Sequence, residues 1–158
     1  MNNQRGLATL EVILAVTIIA VMSTIAFPKM ARMVDKAQLD YEMKIFMSTL
    51  DLGKSLNRSA VYNLGIFSST LEKTGNALQV NIDKNLARYS IKSDMQDIFE
   101  PHNLPNGFSI DYNETIDGNI YFAQSNKGHV TITSPLGDKR YIIFDTVGRW
   151  RGDNKPPK

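Results

Sequence analysis

A single carboxylate, Glu11, lies inside an apolar segment of 21 residues, from residue 7 to residue 27. Placing an ionisable side chain inside a bilayer costs roughly 2.5 to 3.5 kcal/mol on insertion scales, so such a group usually has a partner. A carboxylate that meets an ammonium group in a low-dielectric setting recovers much of this cost. The chemistry that Glu11 offers is therefore pairing with a cationic group.

Few other residues could take part in catalysis, metal binding or disulfide formation. The chain has no cysteine, which excludes disulfides, thiolate metal sites and cysteine nucleophiles. Its two histidines, His102 and His129, are far apart and lack a metal-binding pattern, so we interpret them as loop or strand-surface residues rather than zinc ligands. The sequence has no glycine-rich phosphate loop and no serine in a nucleophile-elbow context. We therefore expect neither an enzyme nor a bound cofactor or metal.

One short region does concentrate oxygen ligands. Its members are Asp111, Asn113, Glu114 and Asp117. Thr115 and Ile116 interrupt the spacing of an EF-hand calcium loop, which supplies its ligands at alternating positions. We therefore favour a solvated turn between two strands, with a calcium site as the alternative.

The apolar segment is long enough to cross a membrane. As a helix rising 1.5 Å per residue it measures about 32 Å, close to the thickness of a bilayer's hydrocarbon core. Arg5, on the short leading side, predicts that this end stays in the cytoplasm. A secretory signal fits poorly, because the apolar run is long and no small-x-small cleavage site closes it. A plain single-span anchor remains open as an alternative.

The spacing around Glu11 resembles the class III signal of type IV prepilins and type II secretion pseudopilins. That signal has a glycine, the cleavage point, an apolar residue and a glutamate fifth in the mature chain, and Gly6, Leu7 and Glu11 match it. Pro28 falls where many of these pilins have a helix-kinking proline. The chain departs from the pattern at Leu7, where phenylalanine is usual, and at Thr9, where an apolar residue is more common.

This resemblance implies a role for each matching residue. A prepilin peptidase would cut between Gly6 and Leu7 and methylate the new amine, and Glu11 would pair with the N-terminal amine of a neighbouring subunit. The implied partners are other pilin or pseudopilin subunits, the peptidase and the assembly platform of the inner membrane. The implied location is that membrane, crossed once with the N-terminus cytoplasmic, and then a filament with its globular part in the periplasm or outside.

Past Pro28 the helical pattern continues and becomes amphipathic, with charged residues between the apolar ones. The apolar positions recur at steps of three or four: Met30, Val34, Ala37, Tyr41, Ile45, Leu52 and Leu56. A proline inside a helix removes one backbone hydrogen bond, so Pro28 predicts a bend rather than a break. We expect the helix to fade between Gly53 and Asn57.

The second half of the chain reads as β-strands. Six short segments are rich in β-branched and aromatic residues: 77–82, 86–92, 107–113, 119–125, 128–134 and 140–147. Asp117-Gly118 and Asn126-Lys127-Gly128 predict hairpin turns between successive strands, and 93–107 a short helix or irregular loop. The predicted fold class is α+β: a long N-terminal helix packed on an antiparallel β-sheet, the pilin fold.

The order of the predicted elements divides the chain into five segments and indicates which subgroups of these families it resembles. The predicted segments are a leader at 1–6, a transmembrane and assembly helix at 7–28, its amphipathic half at 29–60, a β domain at 61–151 and a flexible basic tail at 152–158. Residues 104–151 resemble H-type minor pseudopilins and FimT-like minor pilins. The resemblance implies a minor pilin or pseudopilin with a structural role in a type IV pilus or a type II secretion pseudopilus.

The C-terminus suggests an alternative role on the same scaffold. The C-terminal basic element consists of Gly148, Arg149, Trp150, Arg151, Lys155 and Lys158. FimT-like pilins of competent bacteria have a similar Gly-Arg-x-Arg element that contacts DNA, which would make this chain a DNA receptor for uptake. Guanidinium groups bind phosphates in a bidentate manner, and an exposed indole stacks on a base for about 1 to 3 kcal/mol.

The competing interpretation of the same element is the end of a strand. Gly148 then turns the chain and Trp150 packs on the edge of the sheet, while the arginines are solvated or pair with Asp145 or Asp153. The orientation of Trp150 distinguishes the two hypotheses. A buried indole favours a strand end, and an indole exposed between two free arginines favours DNA.

Overall fold

The fold comes from a computed structural model that describes residues 3–63, 78–93, 96–113, 116, 118–122, 127–145 and 148–157. Within the helix, side chains are described from Thr9 to Arg58. A single helix, α1 (Asn3–Asn63), is followed by antiparallel β-sheets, which confirms the predicted α+β architecture. The helix continues through Pro28 without a break, as expected, and the bend there stays a prediction.

The expected fading of α1 between Gly53 and Asn57 is wrong, because the helix continues to Asn63. Gly53 is buried against the side chain of Phe122, and a Cβ built on it would lie 2.4 Å from two ring atoms of that phenylalanine. The glycine therefore permits a close approach between helix and sheet region and does not end the helix. Tertiary contact here overrides the low helix propensity of glycine.

Replacing Gly53 with alanine is expected to destabilise the protein despite alanine's better helix propensity. The propensity gain is roughly 0.5 to 1 kcal/mol, whereas forcing a methyl group against the Phe122 ring costs about 1 to 3 kcal/mol. Chemical denaturation of Gly53→Ala should show a net loss of stability. The double variant Gly53→Ala, Phe122→Leu should recover part of it, and a stabilised single variant would show that the ring moves aside freely.

Two antiparallel sheets follow the helix. Their strands, in the part of the chain that the structure describes, are β1 (Gln79–Asp83), β2 (Arg88–Ser93), β3 (Gln96–Asp97), β4 (His102–Asn103), β5 (Ser109–Tyr112), β6 (Asn119–Tyr121), β7 (Gly128–Thr133), β8 (Lys139–Phe144) and β9 (Trp150–Asp153). The first sheet has the order β3-β2-β1-β6, with β4 also pairing with β2, and the second has the order β5-β7-β8-β9. All six predicted strand segments contain a strand, and β3 and β4 lie in the region predicted to be a short helix or loop.

The two predicted hairpins are wrong. β5 pairs with β7, aligning Ile110 with Ile132, and β6 pairs with β1, aligning Val80 with Ile120. Asp117 and Asn126 lie outside the described residues, but Gly118 accepts a hydrogen bond at its carbonyl from the Ile82 amide, at 2.8 Å. Gly118 therefore extends the contact with β1, and the chain crosses from one sheet to the other and back.

The helix face that packs on the sheets agrees with the predicted one only in part, at Ile45 and Leu56, which pack against the core. Leu39, Phe46 and Leu50 are fully buried, whereas the predicted apolar positions Val34 and Tyr41 are 60% and 61% exposed. The remaining positions on the buried face, spaced three or four residues apart, are Asp35, Glu42 and Gly53. Because two of these residues are charged and one is glycine, the periodicity of apolar residues does not mark this face and instead predicts a neighbouring face of the helix.

Candidate assembly site

The N-terminal half of α1 packs on nothing in the described part of the chain. From Thr9 to Val34 every side chain is exposed except Ser23, which is half-buried. The exposed large apolar side chains are Leu10, Val12, Ile13, Leu14, Val16, Ile18, Ile19, Val21, Met22, Ile25 and Phe27. Over the described residues, this is the one helix long and apolar enough to cross a membrane, and none of its apolar window is buried. So large an apolar surface needs a bilayer or other subunits to cover it.

Glu11 lies on this uncovered surface. Its side chain is exposed, and no cation among the described side chains pairs with it. The next cation along the helix, Lys29, is 18 residues away, which is about 27 Å along the axis. Gly6 and Leu7 lie in the same helix, with their side chains outside the described set. The predicted cleavage point and Glu11 are therefore one turn apart on a continuous helix.

The β domain is attached to α1 by a polar cluster at the start of its packed half. Ser134 donates its hydroxyl to buried Asp35 at 2.5 Å, and Arg140 donates from Nε to Asp40 at 2.5 Å. Ser134 and Arg140 flank the turn between β7 and β8. The partners are about a hundred residues apart, so no local pattern identified them. This cluster fixes the β7–β8 turn on the helix just past the apolar segment.

A second polar contact joins α1 to the first sheet. Glu42 is 3% exposed, and its Oε2 lies 2.9 Å from Nε2 of His102 on β4. The ring of His102 packs on that of Tyr89, with 5.0 Å between centroids. The pKa of Tyr89 is raised, first because burial removes water from its hydroxyl and second because the Glu42 carboxylate lies nearby. His102 is thus a half-buried structural partner of the helix.

The group of oxygen ligands from Asp111 to Asp117 is engaged in ordinary contacts where it is described. The Lys84 ammonium lies 2.5 Å from Oδ1 of Asp111, and this hydrogen bond is the main reason that the Asp111 pKa is lowered. Asn113 accepts a hydrogen bond from the His129 amide at 3.0 Å. Glu114 and Asp117 lie outside the described residues, and the described ones contain no group of three metal-ligating side chains. The choice between a solvated turn and a calcium site stays a prediction.

The C-terminal basic element begins with a turn. Gly148 has a φ of +71°, and Asp145 accepts hydrogen bonds from the backbone amide and Nε of Arg149, both at 2.9 Å. A left-handed φ at this position favours glycine, and the carboxylate fixes the turn on its other side. The chain then enters β9, where Trp150 pairs in register with Phe144. The element is therefore built as the closing hairpin of the second sheet.

Trp150 packs inward. Its side chain is half-buried against the core, and the Lys54 ammonium lies 4.7 Å from the centroid of its ring. Lys54 also donates a hydrogen bond to the Gly148 carbonyl at 3.0 Å, which connects α1 to the turn. This is the arrangement that the strand-end interpretation describes, since the indole contacts both a cation and the sheet.

The remaining cations of the element face solvent. Arg149 is exposed although it pairs with Asp145, and Arg151 and Lys155 are also exposed, while Lys158 lies outside the described residues. Arg149, Trp150 and Arg151 line an open groove of about 410 Å³. β9 extends to Asp153, two residues past the predicted end of the β domain. Binding of DNA to these residues stays a prediction.

No protein-family model, no curated protein and no solved structure matches this chain. The structure has one long N-terminal apolar helix packed on antiparallel β-sheets, which is compatible with a pilin-like fold.

Proposed function

We propose that this chain is a minor pilin or pseudopilin subunit with a structural and assembly role in a type IV pilus or a type II secretion pseudopilus. The observation that carries the proposal is the uncovered apolar half of α1, which holds one carboxylate and continues directly into the half that packs on the β domain. Gly6, Leu7 and Glu11 supply the prepilin spacing in that same half.

The division of α1 into two halves suits a subunit that exchanges one apolar environment for another. In the membrane, lipid covers the N-terminal half of the helix. In a filament, the corresponding helices of other subunits replace the lipid, so no large apolar surface meets water at either stage. The packed half holds the β domain outside this apolar layer throughout. The proposed partners are therefore other subunits, a prepilin peptidase and an inner-membrane assembly platform.

The Glu11 carboxylate favours the transfer of the helix from lipid to the filament. In lipid the carboxylate is costly, whereas beside a neighbour's N-terminal ammonium group in a filament core it is neutralised at close range. Towards the C-terminus α1 offers it no cation between residues 12 and 28, and cleavage after Gly6 would remove Arg5. The partner that we propose is therefore the N-terminal ammonium group of a neighbouring subunit. Cleavage after Gly6 would create such an ammonium group at Leu7.

Mass spectrometry of the mature N-terminus tests the proposal. In cells with an active prepilin peptidase, the chain should begin at Leu7 with a methylated amine and lack residues 1–6. The matched control is the same chain in cells without the peptidase, where Met1 or its processed form should persist. An intact leader in the presence of the active enzyme would contradict the proposal and leave a plain membrane anchor.

A further inference from the structure

A groove lies at the junction between the membrane segment and the β domain. It is open and has a volume of about 480 Å³. It is lined by Ala31, Asp35 and Gln38 and by four large apolar side chains: Phe27, Met30, Val34 and Leu136. These four side chains are 69%, 64%, 60% and 54% exposed. Three belong to α1 on either side of Pro28, and Leu136 belongs to the turn between β7 and β8. We call this surface the junction groove.

Leu136 is held at the groove by a structured turn. The Gly137 amide donates to the Ser134 carbonyl and the Ser134 amide to the Asp138 carbonyl, each at 2.9 Å. The turn is fixed to the helix where Ser134 donates to buried Asp35. Leu136 thus projects from a turn that hydrogen bonds hold in place. Because its side chain is exposed, it contributes little to the stability of the fold.

The position of the groove relative to the bilayer follows from the helix geometry. Phe27 is the last residue of the apolar segment, and Val34 is about 10 Å further along the axis. The hydrocarbon core of a bilayer is about 30 Å thick, and the headgroup regions add roughly 5 to 7 Å on each side. With the apolar segment across the core, the junction groove therefore begins at the edge of the hydrocarbon and extends through the headgroup layer.

Two cations lie at the same height on α1 as the groove, on the side of the helix that faces away from it. Lys29 and Arg32 are exposed and, among the described residues, form no ion pair. They alternate with Met30 and with Met33, which is 72% exposed. Long cationic side chains beside apolar ones suit a surface that meets lipid tails and anionic headgroups together.

We propose that the junction groove and the tip of the β7–β8 turn dock on the headgroup layer of an anionic bilayer, with Leu136 inserted between lipids. This docking holds the β domain against the membrane while the subunit is still in the bilayer. The inference rests on the proposed function, because it takes the apolar half of α1 as membrane-embedded. It adds a second membrane contact, distant in sequence from the helix.

Fluorescence quenching of the full chain in vesicles tests the docking. Because the chain has no cysteine, Leu136→Cys can carry a single environment-sensitive label. Leu52→Cys is the matched control, since Leu52 is an exposed leucine about 38 Å beyond Phe27 along the helix. Val16→Cys reports on the membrane segment itself. Each labelled protein is reconstituted in phosphatidylcholine vesicles with or without phosphatidylglycerol, with nitroxide lipids labelled at the headgroup or deep in the acyl chain.

The expected result is loss of fluorescence at position 136 with headgroup nitroxide, greater in anionic vesicles, and no loss at position 52. Adding Lys29→Gln and Arg32→Gln should reduce the loss at position 136 in anionic vesicles. Equal behaviour of the labels at 136 and 52 overturns the docking. A label at position 16 that deep nitroxides do not quench would instead overturn the membrane assignment in the proposed function. A blue shift at position 136 that persists in detergent and disappears on dilution would assign the groove to a second copy.

Discussion

Glu11→Ala is expected to leave the chain in the membrane and to remove it from the proposed filament. Insertion should not suffer, because the substitution removes a group that costs roughly 2.5 to 3.5 kcal/mol in a bilayer. Assembly should suffer severely, because the neighbour's ammonium group, which Glu11 neutralises in the proposed filament, would remain buried without a partner. Breaking a buried ion pair in this way costs about 3 to 5 kcal/mol, which corresponds to a loss of more than about 100-fold in the assembly equilibrium.

Immunoblotting of purified filaments against total membranes measures this prediction. The matched control is Thr17→Val, a polar residue six positions along the same exposed helix. Its hydroxyl donates to the Leu14 carbonyl at 2.7 Å within its own chain, so it needs no neighbour. Thr17→Val should enter filaments close to normally, while Glu11→Ala is depleted. Equal incorporation of Glu11→Ala and the unmodified chain would contradict the pairing mechanism.

The elements that follow from local sequence were predictable, and the contacts between them were not. The apolar run and the alternating segments each depend on neighbouring residues, and the structure contains a helix and strands at those positions. The buried face of α1 was missed because Asp35 and Glu42 lie on it. Their partners, Ser134 and His102, are 99 and 60 residues away, and no short-range pattern connects residues at such separations.

The strand pairings and the candidate sites were likewise predictable only where they depend on neighbouring residues. A glycine such as Gly118 adopts a positive φ equally in a tight hairpin and in a crossing between sheets, so the residue type alone could not select the partner strand. The orientation of Trp150 depends on Lys54, which lies 96 positions earlier in the chain. Glu11 was identifiable because its signal is local: one charge in an apolar run, at a fixed distance from Gly6.

Phe46→Ala is expected to release the β domain from α1. Phe46 is fully buried, and its ring meets that of Tyr89 edge to face, with 4.8 Å between centroids and 83° between planes. Removing a buried phenylalanine side chain costs about 3 to 5 kcal/mol, because apolar contacts are lost and a cavity remains. The loss should be at the upper end of this range, since Tyr89 also loses one of its two aromatic partners and keeps only His102.

Thermal unfolding of the chain without its apolar segment, followed by circular dichroism, measures the effect. A loss of this size in the remaining 131 residues lowers the Tm by about 10 °C or more. Leu52→Ala on the same helix is the matched control, because Leu52 is 44% exposed and its truncation leaves no cavity. If Phe46→Ala and Leu52→Ala have the same Tm, the polar contacts of Asp35 and Glu42 hold the helix on the β domain without the packing of Phe46. Because Phe46 lies far from Glu11, the full-length variant should still insert in the membrane, which separates a failure of folding from a failure of the assembly site.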